Sequence, residues 1–235
     1  ARPGCAVRQR SLAAFRPDRR ALRKVFAVGL PSAVENLAFN GGKLLAQTYI
    51  VSLGTDSIAA NFIGMSISSF IQIPSSSLGI AATTLVGQAV GRGDEAGARR
   101  SIVAATGLSS LALLAGSLAG LPLERGLLGL YTRDPGVASI TATLMRWLFA
   151  ALPIFWSTSF IVPAGFRGAG DVRFPMLVSM ASMWLLRVTL GYVLAIPLGL
   201  GVLGVWIGMF VDWVARSVLF CLRLRSGAWY RRAAA

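Results

Sequence analysis

The chain has 235 residues, 55% of them hydrophobic and 14% charged, with a mean hydropathy of +0.66 and a net charge of +14. That composition leaves too little polar surface to disperse a soluble domain of this length. Histidine is absent, and Cys5 and Cys221 stand at opposite ends, which excludes histidine-based catalysis and any cysteine spacing suited to a metal or a disulfide.

Runs of about 20 apolar residues suffice to cross a hydrocarbon core of roughly 30 Å. Six such runs are predicted near residues 25–53, 57–89, 96–119, 136–164, 172–197 and 201–224, with no long polar domain between them. The expected fold is an all-α integral membrane bundle over 25–225, preceded by a basic segment (1–24) and followed by a basic tail (226–235). Of the 23 Lys and Arg residues, 17 fall on one side of the alternating topology this implies, and only Arg125 and Arg133 on the other. The asymmetry predicts a multi-pass membrane protein with both termini cytoplasmic, its basic face against anionic lipid. Nucleic acid is not an expected partner, because the basic residues are not interleaved with stacking aromatics on a soluble face.

The opening "RPDRRALRKVF" reads as a basic amphipathic approach at the inner interface. Basic residues recur to Lys24 without a short apolar core and cleavage site, so it is not a signal peptide. The chain begins with Ala, and is expected to be processed or part of something longer.

The first span, "SAVENLAFNGGKLLAQTY", places polar groups where hydrocarbon is the expected solvent. At about 100° per residue, Ser32, Asn36, Asn40, Lys43 and Gln47 share roughly 80° of arc. Leu30, Val34, Leu37, Leu44 and Leu45 cover the opposite side. On the second span Asn61, Met65, Ser68, Gln72, Ser76, Gly79 and Thr83 share a face in the same way. A charge at mid-depth costs roughly 3 kcal/mol or more unless it faces a protein interior or water, so two polar faces predict a wet crevice. The alternative is that these groups only bond helix to helix. Glu35 lies about 100° off the stripe, toward the bundle. Such a carboxylate takes up and releases a proton or Na⁺, or it pairs with Lys43 or Arg187. Pro31, Pro74 and Pro153 each predict a bend in their span.

Between spans two and three, Gly91 and Gly93 end one helix and Asp94 caps the next, with Glu95 in its first turn. Gly107, Gly116 and Gly120 on span three favour close helix approach. "LPLERGLLGLYTRDPGV" is amphipathic but too short to cross, and is expected to lie separately on the outer interface. Asp134 and Pro135 cap span four, where Arg146 is expected to snorkel outward. "PAGFRGAGDVRFP" makes a tight inner turn. Arg187 is mid-span and needs a partner, while Asp212 and Arg216 are four apart and can pair. All three read as polar contacts that stabilise the bundle.

An ordered set of stretches, "GLPSAVENLAF", "VSLGTDSIAANFIG", "GIAATTLVGQAVGRGDEAGA", "PAGFRGAGDVRFPM", "WLLRVTLGYVLA" and "GVWIGMFVDWVARSVLF", resembles the second half of the multidrug and toxic compound extrusion (MATE) transporters. The resemblance covers residues about 20 to 230. It implies a six-helix C-terminal lobe, a partner N-terminal lobe of six helices outside this chain, and export of organic cations and drugs by antiport. No cofactor is implied beyond Na⁺ or H⁺ as coupling ion. Residues 1–24 resemble the end of the linker between lobes. Glu35 matches the acidic residue of one bacterial branch; where other branches place it one turn later, this chain has Phe39. No Asp or Glu occurs between Gly136 and Arg167, so the second carboxylate some members carry there is absent.

The candidate substrate and ion site is Glu35, Asn36, Asn40, Lys43, Gln47, Asn61 and Gln72. Two other readings compete with the exporter. A flippase for a lipid-linked saccharide would line the crevice with several Arg or Lys, whereas this crevice shows only Lys43. A membrane-embedded enzyme would cluster acids or histidines near the interface, and Asp94, Glu95 and Asp171 are accounted for by capping and turn formation.

Overall fold

The computed structural model describes residues 19–231, all their regular structure helical. Residues 1–18, most of the segment resembling a linker, lie outside the described residues. The long elements are α1 (Arg19–Ser52), α2 (Thr55–Gly91) and α3 (Glu95–Tyr131). A fourth rod joins α4 (Pro135–Ala151), a π-helical segment (Leu152–Trp156) and α5 (Ser157–Gly168). A fifth joins α6 (Arg173–Ser182), a π segment (Met183–Leu190) and α7 (Gly191–Ala195), and α8 (Gly201–Ser226) and a short α9 (Ala228–Arg231) follow. Five rods, all but α1, are long and apolar enough to cross a membrane. The α1 helix has the length, at 34 residues, but its polar stripe lowers its hydropathy.

Helix ends follow local chemistry. Asp94 Oδ1 accepts the Gly97 N–H at 2.7 Å, and Asp134 Oδ1 accepts those of Gly136 and Val137 at 2.7 and 3.2 Å, with Pro135 supplying the preset first turn. Gly227, at φ 68°, ends α8 in a left-handed turn that a side chain would strain. The chain then folds back as α9. Trp229 is buried and stacks on Phe166 with centroids 5.8 Å apart. Asp171, read from sequence as a turn residue, is buried and takes Nε and Nη2 of Arg223 at 2.8 Å each, tying the α5–α6 turn to the end of α8.

One element differs from expectation. The stretch from Leu121 to Tyr131 is not a separate interfacial helix, because α3 runs through Pro122 without a break. At about 1.5 Å per residue its 37 residues reach some 55 Å, so one end projects well beyond a 30 Å hydrocarbon core. There Glu124, buried, meets Nη2 of the exposed Arg146 at 3.5 Å and holds the extension on α4.

Prolines bear on the helices unequally. The α1 and α2 helices continue past Pro31 and Pro74, whereas Pro153 lies in the first π segment, where the wider turn accommodates its missing N–H. The second π segment has no proline. Its Thr189 hydroxyl donates to the Trp184 carbonyl at 2.9 Å, satisfying an acceptor within the widened turn.

The larger apolar core lies among α2, α4 and α8, around Ala60, Leu148, Trp206 and Met209. A smaller one joins Val86, Ile102, Phe166 and Phe220 toward the α9 end. Of the three glycines expected to bring span three close, Gly116 meets Ile71 and Gly120 meets Phe149, but Gly107 faces open space. The tightest approach between two helices is elsewhere: a Cβ at Gly168 would sit 2.3 Å from the Thr83 carbonyl oxygen, which is backbone and cannot swing away. Thr83 also donates its hydroxyl to Ala164 O at 3.0 Å, locking α2 on α5. The α1 helix packs chiefly on α6 and the second π segment. Its Leu30, Val34, Leu37, Leu44 and Leu45 are exposed, as the apolar side of the stripe requires.

Candidate functional site

Two cavities edged by polar and charged side chains lie along α1, and Phe39 stands between them. The first, about 240 Å³, is bounded by Ser32, Glu35, Asn36 and Phe39 of α1, Arg167 of α5 and Arg216 of α8. Glu35 therefore opens into the same cavity as Ser32 and Asn36, at the flank of the stripe. Its carboxylate faces Nη1 of Arg167 at 3.4 and 3.5 Å, with the two side chains 14% and 32% exposed. The expected alternative partners, Lys43 and Arg187, are thus replaced by a residue read only as flanking a turn. Arg167 reaches Glu35 because it sits in the last turn of α5, which the Thr83 and Gly168 contacts press against α2.

The second cavity, about 310 Å³, is bounded by Lys43 and Gln47 of α1, Asn61 of α2, Arg187 of the π segment, and Trp206 and Met209 of α8. Asn61 is buried and bonded on both ends of its amide: its carbonyl oxygen accepts the Trp206 indole N–H at 2.9 Å, and its nitrogen donates to Gln47 Oε1 at 3.3 Å. These bonds fix the α1–α2–α8 junction.

The rest of the predicted site is not gathered here. The exposed Asn40 donates to the Asn36 carbonyl at 2.8 Å, a turn back along its own helix. Gln72 donates to the Ser68 hydroxyl on α2. Neither bounds either cavity. Of the polar face on α2, Asn61 and Thr83 bond to other helices, whereas Gln72, Ser68 and Ser76 bond within α2; Ser75, off that face, donates to the Ser109 carbonyl at 3.4 Å.

Between the cavities, Asp212 and Arg216 form the pair expected from their spacing, Oδ2 to Nη2 at 2.9 Å, with both side chains buried. Three cations gather around the Phe39 ring: Lys43 Nζ at 4.9 Å from its centroid, the Arg216 guanidinium at 5.5 Å and that of Arg187 at 5.9 Å. Arg216 also lies 4.8 Å from Phe160. The electron-rich ring faces offset part of the cost of bringing like charges together in a weakly polar setting. The expectation of a single basic residue in the crevice is therefore corrected. Arg187 shares the cavity of Lys43, and Arg167 and Arg216 border the other. Period and spacing did not reveal this, because each arginine comes from a different rod.

Membrane-length helices, two of them widened by π segments, define a polytopic helical membrane bundle. The MatE family model matches residues 31–193, and the chain belongs to that family. It is 28% identical to a probable multidrug resistance protein NorM of Thermotoga maritima over 90% of this chain and 45% of that protein. To a probable NorM of Xanthomonas campestris pv. campestris it is 33% identical, over 89% and 45%. The crystal structure of MATE in the bent conformation superposes with a TM-score of 0.84 at 20% identity, covering 96% of this chain and 50% of that one. The chain spans about half the length of the relatives it matches, and corresponds to the C-terminal half of a MATE transporter. It is a multi-pass membrane protein of a transporter family, not an enzyme.

Proposed function

We propose that this chain is half of a secondary active transporter that exports organic cations or drugs by antiport with Na⁺ or H⁺. An N-terminal six-helix lobe completes the transport path in the bilayer, and both termini of this lobe face the cytoplasm of the plasma (inner) membrane. The observation that carries the reading is Glu35: a carboxylate midway along α1 that borders a cavity and is held by one partly exposed arginine at 3.4 Å. A proton or Na⁺ arriving at Glu35 competes with Arg167, and the pair opens as the ion binds. Rocking of one lobe against the other then presents the site to either side.

The test is dye efflux by the complete transporter carrying Glu35→Gln. Loss of gradient-driven efflux with normal membrane insertion supports coupling at Glu35. Unchanged efflux reduces Glu35 to a packing residue.

A second reading, flipping of a lipid-linked saccharide, is favoured by the four cations Lys43, Arg167, Arg187 and Arg216, which suit a pyrophosphate better than a lone lysine would. Two of the four are already engaged by Glu35 and Asp212, which keeps the exporter as the stronger reading.

A further inference from the structure

We propose that the cavity between Lys43 and Arg187 is a subsite for an oxyanion, a carboxylate or phosphate group, carried by the transported molecule. The assignment rests on the chain being a transporter lobe whose cavity the substrate reaches.

Three features converge on it. The first is charge. Lys43, Arg187 and Arg216 surround Phe39, and the one carboxylate paired among them, Asp212, is bound to Arg216 at 2.9 Å. The acid of the other cavity, Glu35, is taken by Arg167. Lys43 and Arg187 are left without an ion pair among the described residues. The second is burial. Arg187 is only 7% exposed, and its Nε has no hydrogen-bond partner. An N–H of a guanidinium that has given up water without gaining an acceptor is costly, and an anion arriving at the fork offsets that cost. The third is shape. Arg187 and Lys43 border one cavity of about 310 Å³, with the Trp206 ring, Met65 and Met209 as apolar walls. A planar fork of N–H groups beside a flexible ammonium suits the two or three oxygens of a carboxylate or phosphate, and the walls suit an attached ring or chain. Asn61 bridges Trp206 and the Gln47 carbonyl oxygen and so holds the rim, while the Gln47 amide borders the same cavity.

Lys43 stands eight residues from Glu35, about 12 Å along the helix. The two lie about 80° apart around α1, in separate cavities with Phe39 between them, so the oxyanion subsite is distinct from the cavity of Glu35.

The test is calorimetric binding of benzoate, neutral benzamide and benzylammonium to the complete transporter in phosphatidylcholine nanodiscs. Benzoate is expected to bind at least tenfold more tightly than benzamide. Lys43→Gln and Arg187→Gln should each reduce that binding tenfold or more, with Arg187→Lys recovering part of it. Lys43 is exposed and makes no hydrogen bond among the described residues, so Lys43→Gln keeps the test valid if Arg187→Gln misfolds. Equal affinity for benzoate and benzamide, or benzoate binding unchanged in Lys43→Gln, overturns the proposal. Repeating the titration in nanodiscs containing phosphatidylglycerol separates the sources. Benzoate binding that persists assigns the site to a soluble anion, and binding lost by competition assigns it to a lipid phosphate. Lys43-dependent benzoate binding in a transporter whose efflux ignores Glu35→Gln would refute coupling at Glu35 and leave the subsite standing.

Discussion

Glu35 and Arg167, separated by 132 positions in the chain, face each other at 3.4 Å across the α1–α5 cavity. The pair is loose and partly wet, which suits a contact that must open in each cycle. A partly exposed ion pair is worth on the order of 1 kcal/mol or less. Replacing Arg167 with Gln removes the competitor for the coupling ion. Arg167→Gln is therefore expected to tighten the apparent affinity for that ion up to about fivefold. Efflux rates measured against Na⁺ concentration and against pH in the complete transporter check this. Unchanged ion dependence in both series would mean that Arg167 does not gate Glu35.

The Asp212–Arg216 pair predicts a different kind of effect. Both side chains are buried, and Arg187 stands nearby with no carboxylate of its own. Asp212→Asn removes the compensating charge and leaves two guanidinium groups facing each other. A loss of about 3–5 kcal/mol is expected. Thermal unfolding in detergent should record a large drop in midpoint, and the double change Asp212→Asn with Arg216→Met should recover much of it.

Helix contact offers a prediction independent of charge. Gly168→Ala brings a Cβ within 2.3 Å of the Thr83 carbonyl oxygen and must part α2 from α5, while Gly107→Ala adds a methyl group in open space. Gly168→Ala should sharply reduce the monodisperse fraction on fluorescence-detected size exclusion, and Gly107→Ala should leave it unchanged. Because Arg167 is held by the same contact, Gly168→Ala should also weaken efflux in whatever protein survives.

Local chemistry was legible in the sequence. The Asp94 and Asp134 caps, the Asp212–Arg216 spacing and the apolar back of α1 all depend on residues within a turn or two of each other. Relationships set by packing between rods were not. The stripe on α1 was legible as one face, but its division into two cavities arises from α5 and α8 closing on Phe39. Arg167 read as a turn residue because its partner is more than a hundred positions away. The stretch after Leu121 read as a separate interfacial segment, yet α3 continues there and Glu124 meets Arg146 on α4. The gathering of cations was hidden for the same reason, since Lys43, Arg187 and Arg216 come from three separate rods.

The central claim is that one side of α1 borders water held inside the protein, and cysteine accessibility tests it most directly. With Cys5 and Cys221 replaced by Ser, single cysteines at Asn36 and Gln47 report on the two cavities of the complete transporter. Both positions should react with a small membrane-impermeant thiosulfonate in at least one conformation, and Leu37, on the exposed apolar side, should not. Protection of Asn36 and Gln47 in every conformation, with Leu37 reactive, would contradict the account.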